Sequence, residues 1–533
     1  MKRARTRHDD PVRLEIDRHL FTALTEEMGA ALRRAAYSPN IKERRDYSCA
    51  LFDARGRVVA MGDHMPVHLG ALPMSVAAAR EAFPHLAAGD VIVLNDPFRG
   101  GTHLPDITLV SAIRGRRGPH AWLAVRAHHA DVGGIAAGSM PLAREIFQEG
   151  LRLPPVRLMV RGKRAEDVWT ILRANVRTPE ERDGDLAAQL AALVTGERRF
   201  REILDVRGST GLSRAMDGLI AYADRLLREG IARIPDGVYE AEDQLDSDGF
   251  GSGPLPIRVR LLVQGDAVTA DFRGTAPQTE GGVNAVAAIT TSAARYVVRC
   301  IVEALLEQPL PAGGGEMTPL RLILPRASLV AAEPPASVAA GNVETSQRIT
   351  DVLLLAFAKA VPELVPAQSQ GTMNNLAIGG VDPRRGLPFA YYETMAGGMG
   401  AGPQSDGLSG VHVHMTNSLN TPIEALEHAY PLRILRYALR PNTGGPGLHR
   451  GGDGVRKDIL LLADADVSLL SERRERAPAG LAGGFDAEPG FNCITRNQVE
   501  EPLPAKTTFR AHAGDVISIR SPGGGGWGPA QSP

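Results

Sequence analysis

Residues Asn95–Gly134 read NDPFRGGTHLPDITLVSAIRGRRGPHAWLAVRAHHADVGG. The middle of this stretch is patterned as strand, turn and strand. Its flanks carry imidazoles beside carboxylates: Asp96, His103 and Asp106 before the first strand, His128, His129 and Asp131 at the end of the second. That combination suits a borderline divalent metal such as Zn, Mn or Fe. Successive side chains of a strand face opposite ways, so His128 and His129 point apart, with Asp131 on the side of His129. One imidazole then coordinates while the other packs or orients a ligand. His103 and Asp106, separated by Leu104-Pro105, form a turn that reaches one ion, and Gly100-Gly101 lets the backbone come close. A His, Asp, His set leaves positions open for water or substrate. The competing reading is a set of loop histidines that are merely hydrogen-bonded, because HxxD spacing is common by chance.

Upstream, Asp10-Pro11 caps a helix whose stripe is Ile16, Leu20, Leu24, Met28 and Leu32, ending at Ser38-Pro39. Two short strands follow about the turn Asp53–Gly56. A loop with Asp63, His64 and His68 then runs into a helix, and DVIVL at Asp90–Leu94 is a buried strand. For Asp63, His64 and His68 taken singly, a loop or helix-cap role is the more common one. Downstream, Gly133–Leu153 reads as a long ordered loop, of a length often tied to function. Glu166–Leu204 and Leu212–Arg228 read as helices. After IPDGVY the pattern turns to β, with Gly265-Asp266 as a turn, and an apolar helix spans Val286–Leu306. The last third is glycine-punctuated and has a period of two. The fold class is therefore mixed α/β (α+β): a helix-rich N-terminal part with the metal-bearing strand-loop region, and a β-rich C-terminal part. Composition suggests three domains, 1–233, 234–327 and 328–533.

The 43% hydrophobic and 23% charged content fits a soluble globular chain, and a net charge of -1 gives no reason to expect nucleic acid or an anionic membrane. No run of about 18 apolar residues and no signal-like apolar segment is present. Cys49, Cys300 and Cys493 are scattered, which suits a reducing, cytoplasmic setting, with Cys300 read as a small core residue.

Phosphate-binding loops are missing: Gly162-Lys163 is followed by arginine, no GxGxxG opens a helix, and no GxSxG elbow occurs. The glycine runs read as turns, some with amides lining an anionic or carbonyl-bearing substrate. Asn342, Glu344, Thr345, Gln347 and Arg348 crowd a helix entrance, where capping competes with substrate binding. His412, His414, Thr416 and Asn417 read as an alternating strand with both histidines on one face, a second metal or substrate contact. DSDG at Asp246–Gly249 lacks the closing glutamate of a calcium loop and reads as a turn.

Taken together, RRDYSCALFDARGRVVAMGDHMPVHLGALP, GDVIVLNDPFRGGTHLPD, RAHHADVGGIAAGSMP, GGVNA, AGNVETSQRITD, ETMAGGMGA, HMTNSLNTPIEALE and SPGGGGWG resemble the hydantoinase B/oxoprolinase family along nearly the whole chain. That family includes hydantoinase B subunits, the C-terminal half of 5-oxoprolinase and acetone carboxylase α subunits. The resemblance implies a heteromer in which a separate A-type subunit takes ATP and phosphorylates a carbonyl or enol oxygen. The B-type partner, of which this sequence would be one, then completes the reaction with a bound divalent metal, typically manganese in the carboxylases. Carried onto this sequence, His103, Asp106 and His128 are the expected ligands, with Asp96 as a further one. His129 or His68 would move the proton, with Asp131 nearby, and Asn342, Glu344 and Arg348 would touch substrate. The expected reaction is ATP-dependent opening of a hydantoin- or 5-oxoproline-like lactam. The alternatives are a ketone carboxylase α subunit and a non-catalytic binding component of such a complex.

Overall fold

Alternation across residues 106–128 sets the first sheet. In the computed structural model, which describes residues 11–62, 65–115, 118–311 and 317–530, this segment is a hairpin. Its strands are β4 (Asp106–Gly115) and β5 (Gly118–His128). They join β1 (Tyr47–Asp53), β2 (Val58–Met61), β3 (Val91–Leu94), β6 (Val156–Val160) and β7 (Lys163–Arg164) in the order β2-β1-β5-β4-β3-β6-β7. The pairings are antiparallel throughout.

The period of two divides this sheet into faces. Cys49, Leu51, Ile107, Leu109, Leu123 and Val125 join the core under α1 (Pro11–Ala35) and α3 (Pro179–Ile231). Ala50, Phe52, Val110, Trp122 and Ala124 meet Leu72, Val76 and Ala79 of α2 (Ala71–Ala82) on the other. By the same alternation Asp106 and His128 belong to the α2 face. Glycine at Gly196 permits the close approach of α3, where a Cβ would lie 2.5 Å from Met28 Sδ and 3.0 Å from Leu123 Cδ1.

A second sheet, β11-β10-β9-β8, is built from β8 (Gly237–Leu245), β9 (Leu255–Gln264), β10 (Ala267–Asp271) and β11 (Leu320–Ile323). Helices α4 (Ala287–Leu306) and α5 (Ser346–Ala358) share its core. Nine strands follow: β12 (Asn375–Asp382), β13 (Leu387–Glu393), β14 (Leu432–Leu439), β15 (Val455–Leu461), β16 (Ala465–Leu470), β17 (Phe491–Arg496), β18 (Val499–Leu503), β19 (Lys506–Ala511) and β20 (Val516–Arg520). They form sheets β13-β12-β16-β19 and β14-β15-β20-β17-β18, closed over one apolar cluster that includes Ile378, Val467, Ile459 and Ile517. The fold is thus mixed α/β with sheets that are antiparallel apart from the parallel pairing of β10 with β11. The main core runs from Phe21 to Leu470, across residues 233 and 327 alike.

Several local expectations change. Asp10, Asp63 and His64 lie outside the described residues. In α1, Ile16 is exposed and Phe21 takes its place in the buried stripe. The charged region starts with a short helix, Glu166–Ala174, followed by α3, which Gly208 (φ 66°, ψ 160°) divides into two helical parts, so the expected break between Leu204 and Leu212 is present. The HVHMTN segment is a turn, not a strand: His414 has φ 54°, which breaks the alternation. Cys300 is exposed on α4 rather than in the core. Among the described residues no helix is long and apolar enough to cross a membrane.

The glycine runs of the last third stack on one another. The Gly524 N–H donates to the Gly452 carbonyl and the Gly445 N–H to the Gly524 carbonyl, both at 2.9 Å. Their amides serve neighbouring backbone rather than a ligand, which corrects the expectation of a substrate lining there. A Cβ on Gly524 would lie 2.1 Å from the Met399 carbonyl oxygen, so backbone must move. Gly524→Ala is expected to lower unfolding stability by about 3 kcal/mol, the upper end of ordinary overpacking costs, measured by denaturant titration.

Candidate metal centre

Asp106 and His128 are register partners, the first residue of β4 facing the last of β5, so the hairpin alone sets them side by side. His103 is added by the turn before β4, closed by the Asp106 N–H bonding the His103 carbonyl at 3.1 Å. The turn is tight because Gly101 presses on the chain behind it: a Cβ there would lie 2.5 Å from the Asn95 carbonyl. His103 Nε2 and His128 Nδ1 approach Asp106 Oδ1 at 3.2 and 3.4 Å. A third imidazole, His68, reaches Oδ2 through its Nε2 at 3.4 Å, and its Nδ1 is 2.8 Å from Ser48 Oγ. Thr102 Oγ1 also donates to Oδ2. All of these residues are buried.

Burial alone would raise the Asp106 carboxyl. His103, with hydrogen bonds from His128 and His68, instead holds it well below the usual carboxylate range. Burial lowers His68 and His128, against the pull of Asp106. Imidazoles gathered around a buried carboxylate are a ligand set suited to a cation. One donor atom each from His103, Asp106 and His128 lies within 4.8 Å of the others, a spacing that one ion could span. His128 Nε2, His103 Nδ1 and Asn342 Oδ1 are buried without a hydrogen-bond partner among the described residues. The cluster therefore fits a divalent metal held by His103, Asp106 and His128.

Around it stands a layer that fixes the rings. Tyr392 stacks on His128 with centroids 4.3 Å apart and planes 15° from parallel. The Arg44 guanidinium lies 5.0 Å from the centre of the Tyr392 ring. Tyr392 Oη donates to Asn375 Oδ1 at 2.7 Å, and Asn375 Nδ2 to Glu344 Oε1 at 2.9 Å. Asn342 Nδ2 is 3.2 Å from His103 Nε2. Asn342 and Glu344 both lie on a π turn, Gly341–Thr345, that opens α5. One extra residue in a helical turn re-aims the side chains around it, and such turns gather at functional sites. Gly341 is required there because a Cβ would sit 1.9 Å from the Asn284 carbonyl. Glu149 closes this segment from 190 residues away, accepting from Val338 N at 2.6 Å, Ala339 N at 2.9 Å and the Ser337 hydroxyl. It sits where a helix N-cap belongs.

The remaining predicted residues go elsewhere. His129 does point away from His128: its Nε2 is 3.0 Å from Gln189 Oε1 of α3. Asp131 is tied to Arg177, at 2.8 Å from Nη1 and 2.7 Å from the backbone N–H. Asp96 caps a short turn through Phe98 N at 3.1 Å, with Arg152 at 3.8 Å. None of the three enters the Asp106 cluster. Arg348 is engaged by Asp243 at 3.0 Å and Glu472 at 3.7 Å. His412 and His414 diverge, the first near Arg44 and Asn420, the second 4.0 Å from Asp351. Asp248 accepts from Phe250 N and Ser252 N, as expected of a turn. Glu149 and Tyr392 lie in none of the stretches that carry the resemblance, and Arg44, which opens one of them, carries no chemical motif of its own. The only sequence signal for them is that each lies inside, or close beside, a stretch rich in glycine and polar residues.

The hydantoinase B/oxoprolinase profile matches residues 10–530. The chain belongs to the hydantoinase B/oxoprolinase family. It is 37% identical to 5-oxoprolinase 1 of Arabidopsis thaliana over 97% of its own length, but spans only 42% of that longer protein. It is 31% identical to a chain assigned as the B-type subunit of a D-/L-hydantoinase in Pseudomonas sp. (strain NS671), covering 97% of this chain and 90% of that one. Among solved structures it resembles the ATP-dependent caprolactamase of Pseudomonas jessenii with a TM-score of 0.90 and 28% identity, over 98% and 91% of the two chains.

His129 offers a test independent of turnover. Burial, then Arg182, pushes its imidazole from 6.5 down to about 4. Below 6.5 the unfolded polypeptide takes up a proton that the native fold refuses, so stability is full above 6.5 and falls as the pH drops toward 4. His129→Gln is expected to lose less stability over that window than the parent protein, by up to about 3 kcal/mol. Thermal unfolding at stepped pH reads the difference.

Proposed function

We propose that this chain is the B-type subunit of an ATP-dependent cyclic amidase that opens a lactam whose carbonyl oxygen has been phosphorylated by an A-type partner. The observation that carries this reading is the buried cluster of His103, Asp106 and His128. It sits in a chain whose fold follows that of an ATP-dependent caprolactamase. A relative assigned as the B-type component of a hydantoinase supports the partner, and the lack of a phosphate-binding loop agrees with ATP being handled elsewhere.

The chemistry demands help because a lactam carbonyl is resonance-stabilised. Phosphorylation of its oxygen makes the carbon electrophilic. His103, Asp106 and His128 would hold a divalent metal, which would supply Lewis-acid charge and lower the pKa of water. His68 is the group placed to move a proton: Ser48 fixes its Nδ1 and its Nε2 faces Asp106. Its neutral form, favoured by burial, is the form that accepts one. His129 is set aside for this role because α3 occupies its face of the sheet. Asn342 Oδ1, buried without a partner, is available to a lactam N–H, while its Nδ2 holds His103. Glu344 acts one layer back, through Asn375 and Tyr392, and Arg348 holds the scaffold with Asp243.

Two measurements test the reading. Purified parent protein is expected to retain a divalent metal, which Asp106→Asn and His128→Ala lose while keeping their thermal midpoint within a few degrees. Asn342→Ala is expected to weaken metal affinity by about 10–100-fold, the usual effect of removing a group that orients a ligand. Assay with and without an A-type partner decides the reaction class. Ring opening by this chain alone, without ATP, would refute the division of labour, and bicarbonate-dependent label uptake into a ketone would move the chain to the carboxylases.

A further inference from the structure

A concavity of about 340 Å³ opens beside the metal centre, lined by Glu26, Arg33, Arg34, Arg45, Tyr47 and Asn417. It draws on three separate segments: the last turns of α1, the start of β1 with the residues before it, and the end of HVHMTN with the residues that follow it. The volume is that of a small-molecule site. Its charge is unbalanced, with three guanidinium groups against one carboxylate. Exposed arginines elsewhere in this chain are commonly paired, as Arg144 is with Glu280 and Arg173 with Asp183. Arg33, Arg34 and Arg45 are exposed, and none of them forms an ion pair with a described carboxylate.

A plainer explanation covers part of this. Arg33 and Arg34 lie in the last turn of α1, where cations complement the helix dipole. It does not cover Arg45, which comes from a different segment and holds φ at 56°. A non-glycine residue in the left-handed region costs free energy and tends to persist at ligand-binding places. Nor does it explain Tyr47, 4% exposed, which lines the concavity beside Glu26 and the arginines.

The position matters as much as the charge. Tyr47 pairs with Ala127, and the carbonyl of Asp46 accepts the His128 N–H at 3.0 Å. Behind Asn417 and Leu419, the buried Ser418 and Thr416 lie 3.2 Å apart, and Arg44 bonds Ser418 at 3.4 Å and the Tyr392 carbonyl at 3.2 Å. The Leu419 N–H bonds the Arg44 carbonyl at 2.9 Å. The segments around Arg45–Tyr47 and Asn417–Leu419, which form two sides of the concavity, are therefore bonded to those that carry His128 and Tyr392.

We propose that this concavity is an oxyanion-binding vestibule, in which Arg33, Arg34 and Arg45 capture the phosphoryl or carboxylate group of a small substrate beside the His103–Asp106–His128 centre. The existence of the site rests on the arginines; the identity of its natural ligand as a phosphorylated lactam rests on the function proposed above. The guanidinium fork matches such oxygens in pairs, and three of them suit a dianion.

Calorimetric titration of the chelator-treated full chain with inorganic phosphate, and separately with acetate, tests it at low ionic strength. Saturable phosphate binding is expected, at least about tenfold weaker in Arg33→Ala/Arg34→Ala and in Arg45→Gly. Glycine accepts the left-handed backbone at position 45, so that variant keeps its thermal midpoint. His128→Ala is expected to bind phosphate as the parent does. Acetate binding with the same arginine dependence would assign the site to carboxylates, and binding of phosphate alone would assign it to phosphoryl groups. No saturable binding of either anion, or binding equal in parent and arginine variants, overturns the vestibule. Arginine-dependent binding without ATP-coupled ring opening in the assembled complex would keep the vestibule and remove the amidase reading.

Discussion

The carboxylate of Asp106 is the constraint on which the centre depends. A buried, ionised carboxylate is costly unless charges or hydrogen bonds surround it. Here His103, His128, His68 and Thr102 all converge on its two oxygens. Arg126 also lies buried near this site, with burial pushing it down to about 10 and Asp106 opposing. Its hydrogen bonds go instead to Thr108, Ser75 and the Gly100 carbonyl, so it ties α2 to the sheet rather than neutralising Asp106. Ringed by imidazoles and one hydroxyl, the carboxylate is placed to attract a divalent cation. This gives the cluster a chemical purpose that packing alone would not require.

Position follows from the hairpin, and orientation from everything else. Two strands place Asp106 opposite His128, but a ring can turn. Tyr392, from the third sheet, stacks on His128, and Asn342, from the turn opening α5, meets His103. The centre is thus assembled from parts of the chain some 290 residues apart. That explains why one core runs across most of the chain and why glycine stands at Gly341 and Gly101, where backbones meet. It also gives Glu149 its part: by capping the segment that carries Asn342, it links the long loop of residues 133–153 to the cluster of His103, Asp106 and His128.

What could be read from the sequence was what depends on local spacing. The hairpin, its alternation and the Thr-His-Leu-Pro-Asp turn are short-range, so His103, Asp106 and His128 were legible as one group, and so was the divergence of His128 and His129. The proximity of His68 was only suggested, since nothing local says that its loop folds back onto Asp106. Tyr392, Arg44 and Glu149 act through contacts made over hundreds of residues and leave no periodic trace. The glycine runs misled for a physical reason: a glycine that admits a ligand and one that admits another backbone look alike until the partner is known. HVHMTN misled because a single left-handed residue, His414, undoes the alternation of a strand.

A second buried network clarifies what charge is for in this molecule. Arg348 and Arg473 share Asp243, Arg473 also bonds Asp351, and Lys506 pairs with Glu472. These groups join β8, α5 and the C-terminal sheets. Buried pairs of this sort add little net stability, because desolvation offsets much of the attraction, but leaving one partner alone is costly. Their effect is to penalise any misregistered docking of the three regions. The same penalty acts on Glu344, at the edge of the network, whose carboxyl burial pushes up to about 7. Through Asn375 and Tyr392 that carboxyl is two hydrogen bonds from the ring stacked on His128. The network that aligns the regions therefore ends at the residues that align the Asp106 cluster, and correct docking of the C-terminal sheets becomes a condition for a properly held His128.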